Sequence, residues 1–131
     1  VSRFSLAFEV LDKRNVGADF HPATFVANTI FNAGSVLGTA PLDWDSLTEG
    51  SYHARFHAAD DILVDGSGTA PQNPMEACLS VLQHFLARGA DLRAGEVVLC
   101  GAHHPPIPVK VGGVYEFSLS SGAAVSLSIS P

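Results

Sequence analysis

The sequence predicts an α+β domain dominated by sheet. Three features carry the prediction: alternation of Phe4, Leu6, Phe8 and Val10 near the start, a long amphipathic helix over 73–88, and a closing meander punctuated by Gly-Gly and Ser-Gly. A chain of 131 residues fits a single domain, 1–131, with one core. With 47% apolar and 15% charged residues, the composition is globular and not disordered. The net charge is -6 and the seven Lys and Arg are scattered, so no nucleic-acid partner is expected. No apolar run approaches the roughly 20 residues of a membrane span, and no signal-peptide pattern opens the chain. No membrane partner is expected, and two cysteines in apolar surroundings, read as reduced thiols, suggest a cytoplasmic setting. The chain opens with Val1 and enters a strand-like pattern almost at once, as a fragment, a processed chain or a trimmed chain would.

The elements follow in order. "RFSLAFEVLD" is a strand that puts Glu9 on the face opposite Phe8. "DKRNVGAD" is a turn and loop. "HPATFVANTIFNAG" suits a short helix near 22–31, with Pro22 in the first turn and Gly34 past the end. "SVLG" is a short strand, and "TAPLDWDSLTEG" a loop. "SYHARFHA" sets Tyr52, Ala54 and Phe56 against His53, Arg55 and His57, and "DILVDGSG" is a further extended piece ending at an Asp-Gly turn signal. These two pieces form either one bent strand or a hairpin. In "NPMEACLSVLQHFLARG", Asn73 is the N-cap, Pro74 opens the helix and Gly89 stops it. Met75, Cys78, Leu79, Leu82, Phe85 and Leu86 form its apolar stripe, expected to be core. "LRAGEVVLC" gives a turn and a buried strand. Tyr115, Phe117 and Leu119, then Val125, Leu127 and Ile129, line the last strands.

Chemistry is sparsely signalled. "LCGAHHPPIPVKVGG" places His103 and His104 in a proline-stiffened loop between two extended runs. Histidine there suits general acid–base work near neutral pH or a hydrogen bond to a carboxylate, and an exposed stiff loop is the alternative. Two adjacent side chains point in different directions, so one of them at most is expected to face a pocket. His53, Arg55 and His57 form a solvated polar face or a cationic patch. His21 is a loop or capping residue, and Asp60, Asp61 and Asp65 are turn residues. Cys78 and Cys100 lack metal-ligand spacing and read as buried, reduced thiols.

The order of segments "LAFEVLDKR", "SVLG", "NPMEACLSVLQHFLARGADLRAGEVVLCGA" and "IPVKVGGVYEFSLSSGAAVSLSI" resembles the C-terminal part of the 2-keto-4-pentenoate hydratase family, within the fumarylacetoacetate hydrolase superfamily. Members of that family carry an A-L-E-I-V-D-S-R strand and an L-R-A-G-D-x-I-L-T-G-A segment after a helix. The resemblance implies a mixed, curled β-sheet fold with a pocket rimmed by loops. It also implies a Mg²⁺ or Mn²⁺ ion held by carboxylates, which would stabilise the enolate of a small keto acid or polyketone-like substrate. On this reading Glu9 is a metal ligand or base, and His103 and His104 are acid–base or substrate contacts. Cys100 and Gly101, on the T-G-A-like loop, bind substrate, with backbone N–H groups around Gly101 facing a developing oxyanion.

The chain departs from the family in three places. The family's other two metal glutamates form an E-x-E pair on an N-terminal strand upstream of the region where this chain starts, so the ion is expected to be absent unless another segment or chain supplies them. Cys100 replaces a threonine, and "NTIF" puts Ile30 and Phe31 where small or polar residues are usual. The expectation is thus a hydratase-like lyase or isomerase domain, in a homo- or hetero-oligomer with a hydratase-like partner chain. The alternatives are a non-catalytic binding or structural subunit of the same fold, and a metal-free cyclase or dehydratase.

Overall fold

The computed structural model describes residues 2–14, 16–17, 21–43, 52–68, 72–91 and 93–131. Strand β1 (Ala7–Leu11) pairs antiparallel with β2 (Asn32–Leu37), Phe8 opposite Val36 and Glu9 opposite Ser35. Helix α1 (Pro22–Ala27) lies between them. It is shorter than the predicted helix near 22–31. Thr29, Ile30 and Phe31 all take left-handed backbone, at φ 50°, 55° and 64°, and so turn the chain out of the helix. Gly34 consequently lies inside β2, opposite Val10, and not past a helix end.

The second sheet has the order β4-β3-β5-β6, from β3 (His53–Ala58), β4 (Asp61–Ser67), β5 (Val114–Leu119) and β6 (Ala124–Ser128). The α+β class holds, but the described strands form two antiparallel sheets where one mixed, curled sheet was expected. Tight turns dictate this for β3–β4 and β5–β6, since they return the chain antiparallel, whereas β1–β2 and β3–β5 pair antiparallel across longer connections. "SYHARFHA" and "DILVDGSG" are such a hairpin, turning at Ala59, whose φ is 54°. Asp65 and Gly66 are not its turn. They lie within β4 opposite Arg55 and Ala54, because this register keeps Phe56 and Val64 on one face. The predicted loop over 39–50 lies largely outside the described residues.

The inner face of this sheet holds the core. Tyr52, Ala54, Phe56, Ala58, Val64, Tyr115, Phe117, Leu119 and Val125 are all buried on it. Each such large side chain contributes about 1.5–3 kcal/mol on burial. The β1–β2 ribbon docks here through Leu6 and Phe8, with the Phe8 ring 5.6 Å from that of Phe56. Gly38 allows the close approach. Its N–H donates to the Leu6 carbonyl at 2.8 Å, and a Cβ there would lie 3.0 Å from the Ala124 carbonyl oxygen of β6.

Helix α2 (Pro74–Ala87) begins as predicted: the Asn73 side-chain oxygen accepts from the Met75 and Glu76 N–H groups, at 2.9 and 3.2 Å. It ends at Gly89, φ 67°, with the Ala90 N–H donating to the Phe85 carbonyl. Its stripe is not core as expected. Cys78 is buried and Met75 and Leu82 are half-buried, but Leu79, Phe85 and Leu86 are exposed, Leu86 at 65%. The inner face of the sheet is occupied instead by the ribbon and by Ile107 of the histidine loop. Nor do residues 96–100 form the predicted buried strand. No described strand pairs with them, and Val97 and Leu99 are exposed beside α2.

Candidate functional site

His103 and His104 both reach the sheet, contrary to the expectation that adjacent side chains diverge. The His103 ring lies 4.8 Å from Phe117 and meets Tyr52 edge-on at 6.1 Å, while His104 meets Phe56 edge-on at 5.9 Å. The register explains the convergence. Phe56 and Phe117 are directly opposed on β3 and β5, so two neighbouring loop residues can rest on one aromatic pair. The loop that follows is pinned by the Tyr115 hydroxyl, which accepts from the Lys110 N–H at 2.8 Å.

Burial sets the chemistry of this cluster. It pushes the His103 imidazole below the ordinary histidine value, so the ring is neutral at pH 7 and carries a basic nitrogen. It pushes the Tyr52 hydroxyl up, keeping it a proton donor. The Nδ1 of His104 lies 2.7 Å from the Pro105 carbonyl oxygen, an arrangement that assigns the proton to Nδ1 and leaves Nε2 as acceptor. Tyr52 is the member that sequence reasoning missed. Its alternation marked it only as one face of a strand, and no local signal relates it to a residue some fifty positions later.

Glu9 is placed elsewhere. Its side chain is exposed, and Oε1 accepts from the Asn32 side-chain amide at 2.7 Å. Phe8, on the other face of β1, is the residue that reaches Phe56, so the structure does not bring Glu9 to the histidines. Nor do the described residues fit the divalent cation that the resemblance implies. No group of three His, Cys, Asp or Glu side chains that could hold a metal occurs among them, and one carboxylate does not furnish an octahedral oxygen set.

Cys100 is half-buried, its carbonyl accepting from the Gln72 side-chain amide at 3.1 Å and its thiol lying 3.6 Å from the Val98 carbonyl. Gly101 is exposed, with φ 123°.

On the outer face of the sheet, His53 Nε2 pairs with Asp65, and Arg55 lies 3.3 Å from the same carboxylate. The His53 hydrogen bond first, and the Arg55 charge after it, hold the Asp65 carboxyl below the ordinary range. Asp65 is therefore a cross-strand partner and not a turn residue. A shallow cleft of about 300 Å³ opens here, lined by His53, Arg55, Ser118, Leu119 and Ser120. It lies across the sheet from the His103 cluster, so this cleft and the best acid–base grouping do not coincide. His21 caps α1, its Nδ1 accepting from the Ala23 N–H at 3.1 Å. Among the described residues no helix is long and apolar enough to cross a membrane.

No protein-family model matches the chain. Curated relatives do. It is 31% identical over 125 residues to the 2-keto-4-pentenoate hydratase of Paraburkholderia phymatum, covering 95% of this chain and 48% of that protein. It is 32% identical over 110 residues to the 2-keto-4-pentenoate hydratase of Burkholderia vietnamiensis, covering 83% and 42%. Against 2-keto-4-pentenoate hydratase 1 of Dechloromonas aromatica the identity is 26% over 121 residues, covering 92% and 46%. The chain spans about half the length of the curated relatives it matches, and over that span it is homologous to the 2-keto-4-pentenoate hydratase family.

Proposed function

We propose that the chain contributes to a hydratase-type lyase site, adding water across an unsaturated small 2-keto acid such as 2-keto-4-pentenoate through its enol. The observation that carries this reading is the alignment of nearly the whole chain with three hydratases. The cluster around His103 supports it. Hydration needs a base for water and a donor for the developing enolate oxygen. The neutral His103 ring takes the water proton, the Tyr52 hydroxyl donates to the oxygen, and His104 Nε2 holds the substrate or a second water. N–H groups near Gly101 and the side chain of Cys100 border the substrate, and Glu9, exposed on β1 away from the histidines, would act as a metal ligand only together with carboxylates from elsewhere.

The reading extends to a fold of the fumarylacetoacetate hydrolase type, a cytoplasmic setting and an oligomer. The rest of the site, including any carboxylates for Mg²⁺ or Mn²⁺, is assigned to a further segment or a partner chain. Native mass spectrometry of the protein purified without chelator identifies that partner. The dienol ultraviolet absorbance of 2-hydroxypenta-2,4-dienoate is then followed with and without added Mg²⁺. Turnover is expected, falling about 100-fold in His103→Gln. Absence of turnover in the complete assembly would overturn the reading. It would favour a binding or structural subunit, to which the exposed Leu79, Phe85 and Leu86 of α2 already point.

A further inference from the structure

The loop that carries the two histidines ends on a buried hydroxyl. The chain bends at His103 and His104, then runs without a turn from Pro105 to Lys110. Pro105, Pro106 and Pro108 lack an N–H and hold φ at about −65°, so this run is stiff and has few donors of its own. Ile107 packs its middle against the core. At its end the Lys110 N–H donates to the Tyr115 hydroxyl at 2.8 Å, and the Lys110 carbonyl accepts from the Gly113 N–H at 3.0 Å. Tyr115 is 4% exposed and stands on β5 two positions before Phe117, the residue that seats His103. Gly113 closes the arrangement. A Cβ there would lie 2.8 Å from the Tyr115 hydroxyl and 2.9 Å from the Lys110 carbonyl oxygen, so any side chain would force these groups to move.

We propose that Tyr115 is a positioning residue for the histidine site: its hydroxyl, through the Lys110 N–H, holds the far end of the proline run and so keeps His103 and His104 on the Phe56–Phe117 pair. A flexible loop would absorb the loss of one hydrogen bond at its end. A run stiffened by three prolines transmits it to the next place that can turn, which is the bend at His103 and His104. The same strand thus does two things. Phe117 supplies the surface on which His103 rests, and Tyr115 fixes the length of chain that must reach that surface. Tyr52, the titratable side chain that meets the His103 ring edge-on, acts on it directly; Tyr115 acts through the loop, its oxygen already taken up as an acceptor. Any consequence for catalysis rests on the hydratase reading, whereas the placement of the rings does not.

The test is the titration of the histidine rings by NMR in the intact chain, with the His103 signal assigned by its loss in His103→Gln. Tyr115→Phe removes one oxygen and keeps the buried ring, so the sheet is expected to fold. Burial holds the wild-type His103 midpoint below the ordinary 6.5. In Tyr115→Phe the ring is expected to leave its seat, its midpoint rising toward 6.5 and its shifts from the neighbouring aromatic rings being lost. Gly113→Ala should do the same although it keeps the hydroxyl, because the added Cβ displaces the Lys110 anchor. A Tyr115→Phe protein that loses stability but titrates His103 as the wild type does would overturn the proposal, since a merely structural tyrosine moves the first and not the second. In the complete assembly, Tyr115→Phe is expected to lower kcat about tenfold with KM little changed. The titration follows no substrate, so a shifted ring without any turnover would overturn the hydratase reading and leave the positioning role standing.

Discussion

His103 shows how far a single buried ring shapes behaviour. Held against Phe117 and Tyr52, its imidazole has a folded-state pKa below the ordinary 6.5. As the pH falls through about 6.5, the unfolded chain takes up a proton that the folded chain resists, so stability is greatest above that point and is lost below it. Urea midpoints should fall between pH 7.5 and 5.5, and fall less in His103→Gln; an unchanged pH dependence in the variant would remove His103 as the cause. The Asp65 carboxyl is also depressed, but its contribution is present above the ordinary carboxylate pKa near 3.8 and lost only below it, outside this window. A second residue-scale case is Ile30. It is β-branched, 66% exposed and left-handed at φ 55°, a conformation that costs about 1–2 kcal/mol for such a residue. Ile30→Gly forfeits little burial and should raise unfolding stability by about 0.5–1 kcal/mol in urea titrations, the relief of strain exceeding the added chain entropy.

At the scale of elements, the ends of α2 were legible because capping is local chemistry. Asn73, Pro74 and Gly89 each act through backbone groups within a few residues. Asn73→Ala strands the Met75 and Glu76 N–H groups and should cost about 1 kcal/mol, read from denaturation followed by circular dichroism. What covers the stripe was not legible, since periodicity shows that one face is apolar without showing its neighbour. Residues 96–100 failed for the same reason. An apolar run becomes a strand only beside a partner edge, and here the run lies next to α2 instead. Alternation in β1, β3 and β5 was read correctly because one face of β3 and β5 is buried and that of β1, through Phe8 and Val10, is half-buried. The left-handed turn at Thr29–Phe31 had no glycine to announce it.

For the whole molecule, apolar character and burial part company. Phe56 packs among Phe8, Phe117 and His104 at the centre of the sheet, whereas Leu86 is a large apolar residue left open on α2. Phe56→Ala should therefore cost about 3–5 kcal/mol, and Leu86→Lys no more than about 0.5 kcal/mol, by urea unfolding. Equal losses would mean that the helix face is part of the core after all. The candidate site was half legible on this scale. The adjacent histidines and the proline-rich loop can be seen in the sequence. Their seat on Phe56 and Phe117, and the company of Tyr52, depend on pairings across much of the chain.

The pairing of β3 bears on how the molecule assembles. β3 meets β4 across a tight turn, but meets β5 only after the chain has passed through α2, both thiols and the histidine loop. The β3–β4 and β5–β6 hairpins rest on local contacts and form on a timescale of about microseconds. Joining them pays the entropy of closing that long excursion, so the Phe56–Phe117 seam is expected to limit the folding rate. Stopped-flow refolding of Phe117→Leu checks this: slower folding is expected, whereas an unchanged folding rate with faster unfolding would put the seam after the barrier. In this order of events His103 and His104 gain their ring partners only when the seam closes, and the histidine loop is the last part of the molecule to take its shape.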